Sequence, residues 1–318
     1  MAVVAEPVTR RARVNTYRTR DGGDAPVELA YDVFGERGMP LVLVMGIGAQ
    51  RIFWSEAFCA QFVAAGFQVV RFDHRDIGQS TRLEAATPKP LPLLARSLLN
   101  LPVHAPYSLS DMAADVVGLL DHLGWASAHV VGASLGGMVA QHLALEHPTR
   151  VRSVTTIMTT PGGRRYMPKV RAFRALFAPS PKTAVEAGAH VAKMFQVIGS
   201  TAWPTDVARL EQAGALAFER GLNPRGFLRH FAGVLASGDR RSKLATIAAP
   251  TLVIHGSSDP MFPLSAGRKI AASVQHGTWL PIAGMGHDLP TALWPTIVRA
   301  LAKHAKHAES LRGARGGT

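Results

Sequence analysis

Short runs of consecutive apolar residues recur along this 318-residue chain, separated by longer stretches in which apolar positions return at helical spacing. The runs rich in Val, Ile and Leu predict strands at about 27–34, 41–46, 68–73, 128–133, 151–158, 251–255 and 278–282. The stretches between them predict helices near 55–65, 110–123, 136–147, 264–273 and 291–305. Ser108 or Ser110 suits the start of the second helix, and Gly124 its end. Strands alternating with helices imply an α/β architecture, a mostly parallel sheet covered on both faces. In such sheets reactive groups collect at the carboxyl ends of the strands.

One region breaks the alternation. Between Pro161 and about Arg240 the pattern holds no strand, only amphipathic segments at 169–178, 183–198, 205–220 and 225–236, punctuated by Pro168, Pro179, Pro181, Pro204 and Pro224. A helical insertion between two strands reads as a cap (161–240) on one catalytic core built from 1–160 and 241–318.

Composition narrows the class. Hydrophobic residues make up 47 %, ordinary for a soluble globular protein. No apolar run approaches the ~18 residues that would suggest a membrane span. The N-terminal Met1–Pro7, followed by Arg10, Arg11 and Arg13, holds no apolar signal core, which argues against a signal peptide. Cys59 is the only cysteine, so it forms no internal disulfide; it reads as a buried small hydrophobe in a reduced, cytoplasmic setting. The net charge of +13 is concentrated partly at the ends, in Arg10, Arg11, Arg13, Arg18 and Arg20 and in Lys303, Lys306, Arg312 and Arg315. It could attract anionic surfaces non-specifically. No aromatic-interleaved basic motif accompanies it, so no specific nucleic-acid partner is expected. His142 with His147, and His304 with His307, lack the partners of a closed metal site, so neither metal nor cofactor is expected.

The candidate chemistry lies at strand ends. Gly132-Ala133-Ser134-Leu135-Gly136-Gly137 joins the apolar run Ala128–Val131 to a helical pattern over very few residues. Glycines two before and two after the serine leave room where a Cβ would clash, and the turn presents the Ser134 hydroxyl at the sheet edge, a nucleophile elbow. A serine hydroxyl needs an adjacent base, itself oriented by an acid. Asp259 follows the buried run Thr251–Gly256, where it could equally be a turn aspartate before Pro260. His287 sits in the loop Gly284-Met285-Gly286-His287-Asp288 after the last strand, where Asp288 could instead cap a helix and His287 be incidental. Serine, acid and histidine, in that order and each just past a strand, favour the joint reading. Backbone N–H groups of Leu135 and of Ile47, with Gly48 as the other choice, would receive the oxyanion; such donors contribute about 2.7–4 kcal/mol each. A phosphate cradle at Gly46-Ile47-Gly48 is disfavoured, because no third glycine, lysine or ribose-binding acid follows at suitable spacing.

From about Tyr17 to His304 the chain resembles the α/β-hydrolase superfamily, and within it the aclacinomycin methylesterase-like branch of bacterial esterases. The segments that carry the resemblance are Leu43–Gln50, Arg71–Ser80, the elbow at Ser134, and Gly284–Asp288. It implies an eight-stranded sheet, a helical cap inserted after the sixth strand, and a Ser134–His287–Asp259 triad. It also implies a structural role for the Asp73-to-Ser80 loop at the mouth of the site. Met45 stands where many relatives place a histidine before the oxyanion glycine, which leaves the backbone donor available.

The expected activity is hydrolysis of a small to medium, largely apolar carboxylic ester through an acyl-enzyme. Phe53, Trp54, Met138, Met158, Phe173, Phe177 and Met194 are candidate pocket residues, with the Leu- and Pro-rich loop at 90–107. The same triad could serve perhydrolysis, acyl transfer or carbon–carbon bond hydrolysis. A receptor that uses the pocket without catalysis is a different class, against which the complete set of reactive residues argues.

Overall fold

The computed structural model describes residues 9–19, 21–99 and 101–316. The expectations for Met1–Pro7 and Arg20 lie outside the described residues, as does the side chain of Arg315. In chain order the elements are β1 (Arg10–Arg18), β2 (Asp24–Phe34), β3 (Met39–Val44), α1 (Glu56–Ala64), β4 (Phe67–Phe72), α2 (Pro90–Leu98), α3 (Leu109–His122), β5 (Ala128–Ala133), α4 (Leu135–Glu146) and β6 (Val151–Ile157). Four helices follow, α5 (Val170–Leu176), α6 (Ala184–Ile198), α7 (Val207–Glu219) and α8 (Pro224–Ser237). The chain then completes β7 (Thr251–Gly256), α9 (Leu264–Ser273), β8 (Gly277–Ile282) and α10 (Trp294–Gly316).

The strands form one eight-stranded sheet in the order β1-β2-β4-β3-β5-β6-β7-β8. The β1–β2 and β2–β4 pairs are antiparallel, and every pair from β4 to β8 is parallel. The central strands are buried almost throughout because both faces are covered. Leu109, Met112 and Val116 of α3, Met138 and Leu143 of α4, and Ile270 of α9 belong to one core cluster. Phe58 and Phe62 of α1, and Ile297 and Leu301 of α10, belong to the other. The chain passes from β3 to β4 on one side and returns to β5 on the other. The crevice past the ends of β3 and β5 is therefore a topological switch point, where open α/β sheets bind ligands.

Three expectations are corrected. The pattern missed β1, an edge strand in which charged residues mask the alternation and a register shift between Arg13 and Asn15 interrupts it. The stretch expected to be a loop at 90–107 begins with α2; Pro90 occupies the first helical turn, where a missing N–H costs nothing. The last helix runs to Gly316 instead of ending near 305. Of the two cap candidates for α3, Ser108 makes the capping box, exchanging hydrogen bonds with Asp111, and Gly124 at φ 69° follows the helix.

Candidate active site

Ser134 bridges β5 and α4 with φ 54° and ψ −118°, a conformation that a non-glycine residue adopts only when its surroundings impose it. The neighbouring glycines show what imposes it. A Cβ on Gly132 would strike the Gly136 carbonyl, and one on Gly136 would strike the Val44 carbonyl. The Ser134 N–H donates to Ile157 O (3.0 Å), and its carbonyl accepts from Thr159 Oγ1 (2.6 Å), so the turn is clamped from β6.

His287 Nε2 lies 3.0 Å from Ser134 Oγ, and His287 Nδ1 lies 2.9 Å from Asp259 Oδ2. Asp259 is fixed through its other oxygen, which accepts from the N–H groups of Met261 (2.7 Å) and Phe262 (3.0 Å). With Nδ1–H donated to the carboxylate, Nε2 carries the lone pair toward the serine hydroxyl. The imidazole packs edge-on against Phe262, with 5.6 Å between centroids. The histidine loop is also laced to the end of α6 and the residues just past it: the His287 N–H donates to Ile198 O (2.7 Å) and the Gly286 N–H to Ser200 Oγ (3.0 Å). Asp288 accepts from Ser200 Oγ (2.6 Å) and caps no helix. Burial raises the Asp288 carboxyl above its ordinary value.

Two backbone donors near the serine have no acceptor among the described residues. The Leu135 N–H opens α4 and has no acceptor within the helix. Among the described residues nothing accepts from it, nor from Ile47 N–H. The Gly48 N–H, the other choice, is engaged by His230 Nδ1 (3.4 Å). His230 Nε2 donates to Arg75 O (3.0 Å), which leaves Nδ1 as the acceptor. His74 Nε2 donates to Met45 O (3.0 Å). Two buried imidazoles thus grip the Met45–Gly48 loop at both ends. Desolvation dominates both: it holds His74 down at about 3, assisted by His230, and His230 at about 4, so both stay neutral.

His74, His230 and His255 are buried beside the site, and sequence reasoning singled out none of them. His255, at the end of β7, places Nε2 3.5 Å from Asp259 Oδ2 while donating to Phe262 O (3.1 Å). Burial lowers its pKa too. His74 stood inside a quoted motif, whereas nothing in the sequence distinguishes His230 from other helix-face histidines. His142 pairs with Glu146 (2.7 Å) one turn along α4.

Two cavities meet at Ser134, sharing Ile47, Ser134, Leu176 and Met261. The smaller, about 120 Å³, holds His287 and is lined by Phe53, Met158 and Met194. The larger, about 710 Å³, reaches Leu135 and is lined by Met138, Phe173 and residues 101–103, but does not touch His287. Trp54 and Phe177, offered as pocket residues, line neither. Trp54 is fully buried and stacked on Phe58 (5.9 Å), on the core side of a tight turn that sends Phe53 the other way. Phe177 is drawn into the helical insertion's own aromatic cluster, against Phe227 (5.3 Å) and Phe231 (4.9 Å).

Comparison with known proteins agrees with this layout. Residues 39–290 match the family described as "alpha/beta hydrolase fold". Rhodomycin D methylesterase DnrP of Streptomyces peucetius is 26 % identical over 294 residues, covering 85 % of this chain and 91 % of that protein. RutD of Azorhizobium caulinodans, provisionally named a carbamate hydrolase, is 31 % identical over 246 residues, covering 76 % of this chain and 80 % of its own. The solved structure of 2-hydroxy-6-oxo-6-phenylhexa-2,4-dienoate hydrolase from Rhodococcus sp. strain RHA1 superposes with a TM-score of 0.69 at 19 % identity, covering 95 % of this chain and 99 % of that one, a likeness of fold.

Proposed function

The chain belongs to the α/β-hydrolase family, and from that premise we propose that it is a carboxylic-ester hydrolase with Ser134 as nucleophile, His287 as base and Asp259 as the orienting acid. The observation that carries the reading is the unbroken hydrogen-bond chain from Asp259 Oδ2 through His287 to Ser134 Oγ, at 2.9 and 3.0 Å. Similarity to a protein named a methylesterase supports an ester as substrate. Residues 161–240 act as the cap of a core made from 1–160 and 241–318.

Ser134 Oγ attacks the ester carbonyl while His287 Nε2 takes its proton. The Ile47 and Leu135 N–H groups stabilise the oxyanion, and Asp259 stabilises the imidazolium. As the carbon–oxygen bond breaks, His287 returns the proton to the leaving alcohol. Water, deprotonated by the same imidazole, then attacks the acyl-enzyme and releases the acid. The leaving oxygen must lie within reach of Nε2, so the alcohol occupies the cavity that contains His287 and the acyl group the larger one. This assigns a small alcohol and a bulky acid. Cys59 takes no part: burial pushes its thiol up to about 12. An inert thiol of this kind fits a reduced, cytoplasmic protein.

A fluorophosphonate tests the nucleophile: a covalent adduct on Ser134 by mass spectrometry is expected, and its absence would favour a binding protein without catalysis. A panel of p-nitrophenyl esters, with products identified in water, peroxide and alcohol, separates hydrolysis from perhydrolysis and acyl transfer. Release of free acid in water is expected to dominate.

A further inference from the structure

We propose that the larger cavity is a subsite for an acyl group bearing a second, remote carboxylate, recognised by a cluster of arginines on its wall; the assignment of this cavity to the acyl side rests on the mechanism above.

Four arginines, Arg164, Arg165, Arg240 and Arg241, line this cavity together with a single carboxylate, Asp239. That carboxylate is already committed to Arg241, whose Nε lies 2.9 and 2.7 Å from its two oxygens. Arg164 donates to the Leu98 carbonyl, and Arg165 forms no ion pair among the described residues.

Arg240 is the decisive member. It is 2 % exposed, and its guanidinium is met by neutral acceptors, Gln141 Oε1 (3.2 Å), Thr160 O (3.0 Å) and, more distantly, Gly238 O. The other buried arginines each meet a buried carboxylate: Arg51 and Arg71 meet Asp32, Arg75 meets Asp115, and Arg229 meets Asp76. Burying a cation with no directly bonded anion is costly: Asp239 acts on Arg240 only through space while bonded to Arg241, and burial still pushes the guanidinium down to about 10. A substrate carboxylate would supply the direct anionic partner that Arg240 lacks among the described residues. The same cavity is lined by Met138, Phe173, Leu176 and Phe231, which suit a hydrocarbon-like group joining the two carboxyls. The substrate class is thus a small-alcohol monoester of a bulky apolar diacid.

The test compares two p-nitrophenyl esters of equal chain length, one ending in a carboxylate and one in a methyl group. In the native protein the ratio of kcat/KM, carboxylate over methyl, is expected to exceed unity by roughly 10-fold, the worth of a hydrogen bond to a charged group. Added salt should reduce it. Arg240→Gln should collapse the ratio. Because a buried substitution can disturb folding, the surface pair Arg164→Gln/Arg165→Gln is measured beside it and should lower the ratio as well. Equal handling of the two esters by the native protein, or a ratio unmoved in both folded variants, would overturn the proposal. Calorimetric binding of the free diacid to the Ser134→Ala protein separates this result from failure of the esterase reading. Arginine-dependent binding without turnover of any ester would sink the chemistry and leave the subsite standing, whereas ester turnover with no diacid binding would sink the subsite alone.

Discussion

At Ser134 a positive φ, a clamped carbonyl and two crowding glycines converge on one hydroxyl, and the His287 imidazole, the proposed base, stands 3.0 Å away. Under the proposed mechanism, removing that hydroxyl removes the attacking atom and little else. Ser134→Ala should lower kcat by roughly 10⁶-fold while leaving the circular dichroism spectrum and Tm close to native; activity near the native level would refute the nucleophile. His230 gives a subtler prediction. Its Nδ1 occupies the Gly48 N–H and so leaves Ile47 as the free donor. His230→Phe, which keeps bulk but loses the acceptor, should lower kcat by roughly 10-fold to 100-fold with KM little changed, the signature of misplaced oxyanion donors. Affinity for a trifluoromethyl ketone should fall in parallel, and His230→Asn, which retains an acceptor, should recover part of both. An unchanged kcat in His230→Phe would remove this residue from the machinery.

Elements show how the insertion is fastened to the core. The loop from Asp73 to Ser80 is the anchor. Asp73 accepts from the Arg51 N–H (2.6 Å) and from Arg220 (3.1 Å), and Asp76 binds Arg229 of α8 through both its oxygens (2.7 Å from Nε). These pairs are buried, so losing one partner strands a charge. Arg229→Ala should destabilise the protein by about 3–5 kcal/mol in urea unfolding, far more than a surface arginine; a cost below about 1 kcal/mol would mean water reaches Asp76. The resemblance already implied a structural loop here, but its partners could not be read from the chain. Arg220 follows α7, and Arg229 and His230 lie on α8; the amphipathic pattern of these helices fixes which face is buried, not which residue on the core that face meets. Strands were legible where both faces are covered, as in Leu41–Val44 and Val130–Val131, and illegible in β1, where only Ala12 is buried among arginines. Motif chemistry was legible for the same reason that the elbow is rigid: few sequences tolerate such a turn. Pocket residues were legible by type but not by direction, since Phe53 and Trp54 are neighbours facing opposite ways.

Across the whole molecule, buried neutral histidines tie stability to pH. His74 and His230 sit near 3 and 4 in the folded protein against an ordinary 6.5. Between those values the unfolded chain binds protons that the folded one refuses, so stability is complete above about pH 6.5 and declines as the pH falls through 4. Urea midpoints measured from pH 8 to pH 4 should drop through that window, and His230→Asn should show a shallower dependence. A native profile that is flat there would mean that these imidazoles are already protonated in the folded state. The lacing between the α6 terminus and the histidine loop has a consequence for traffic. Any breathing that lifted α6 would pull Ile198 O from the His287 N–H and unseat the proposed general base in the same stroke. An entrance that can open while the enzyme stays armed therefore belongs to the opposite rim, where α2 and the stretch 162–168 border the larger chamber without touching His287.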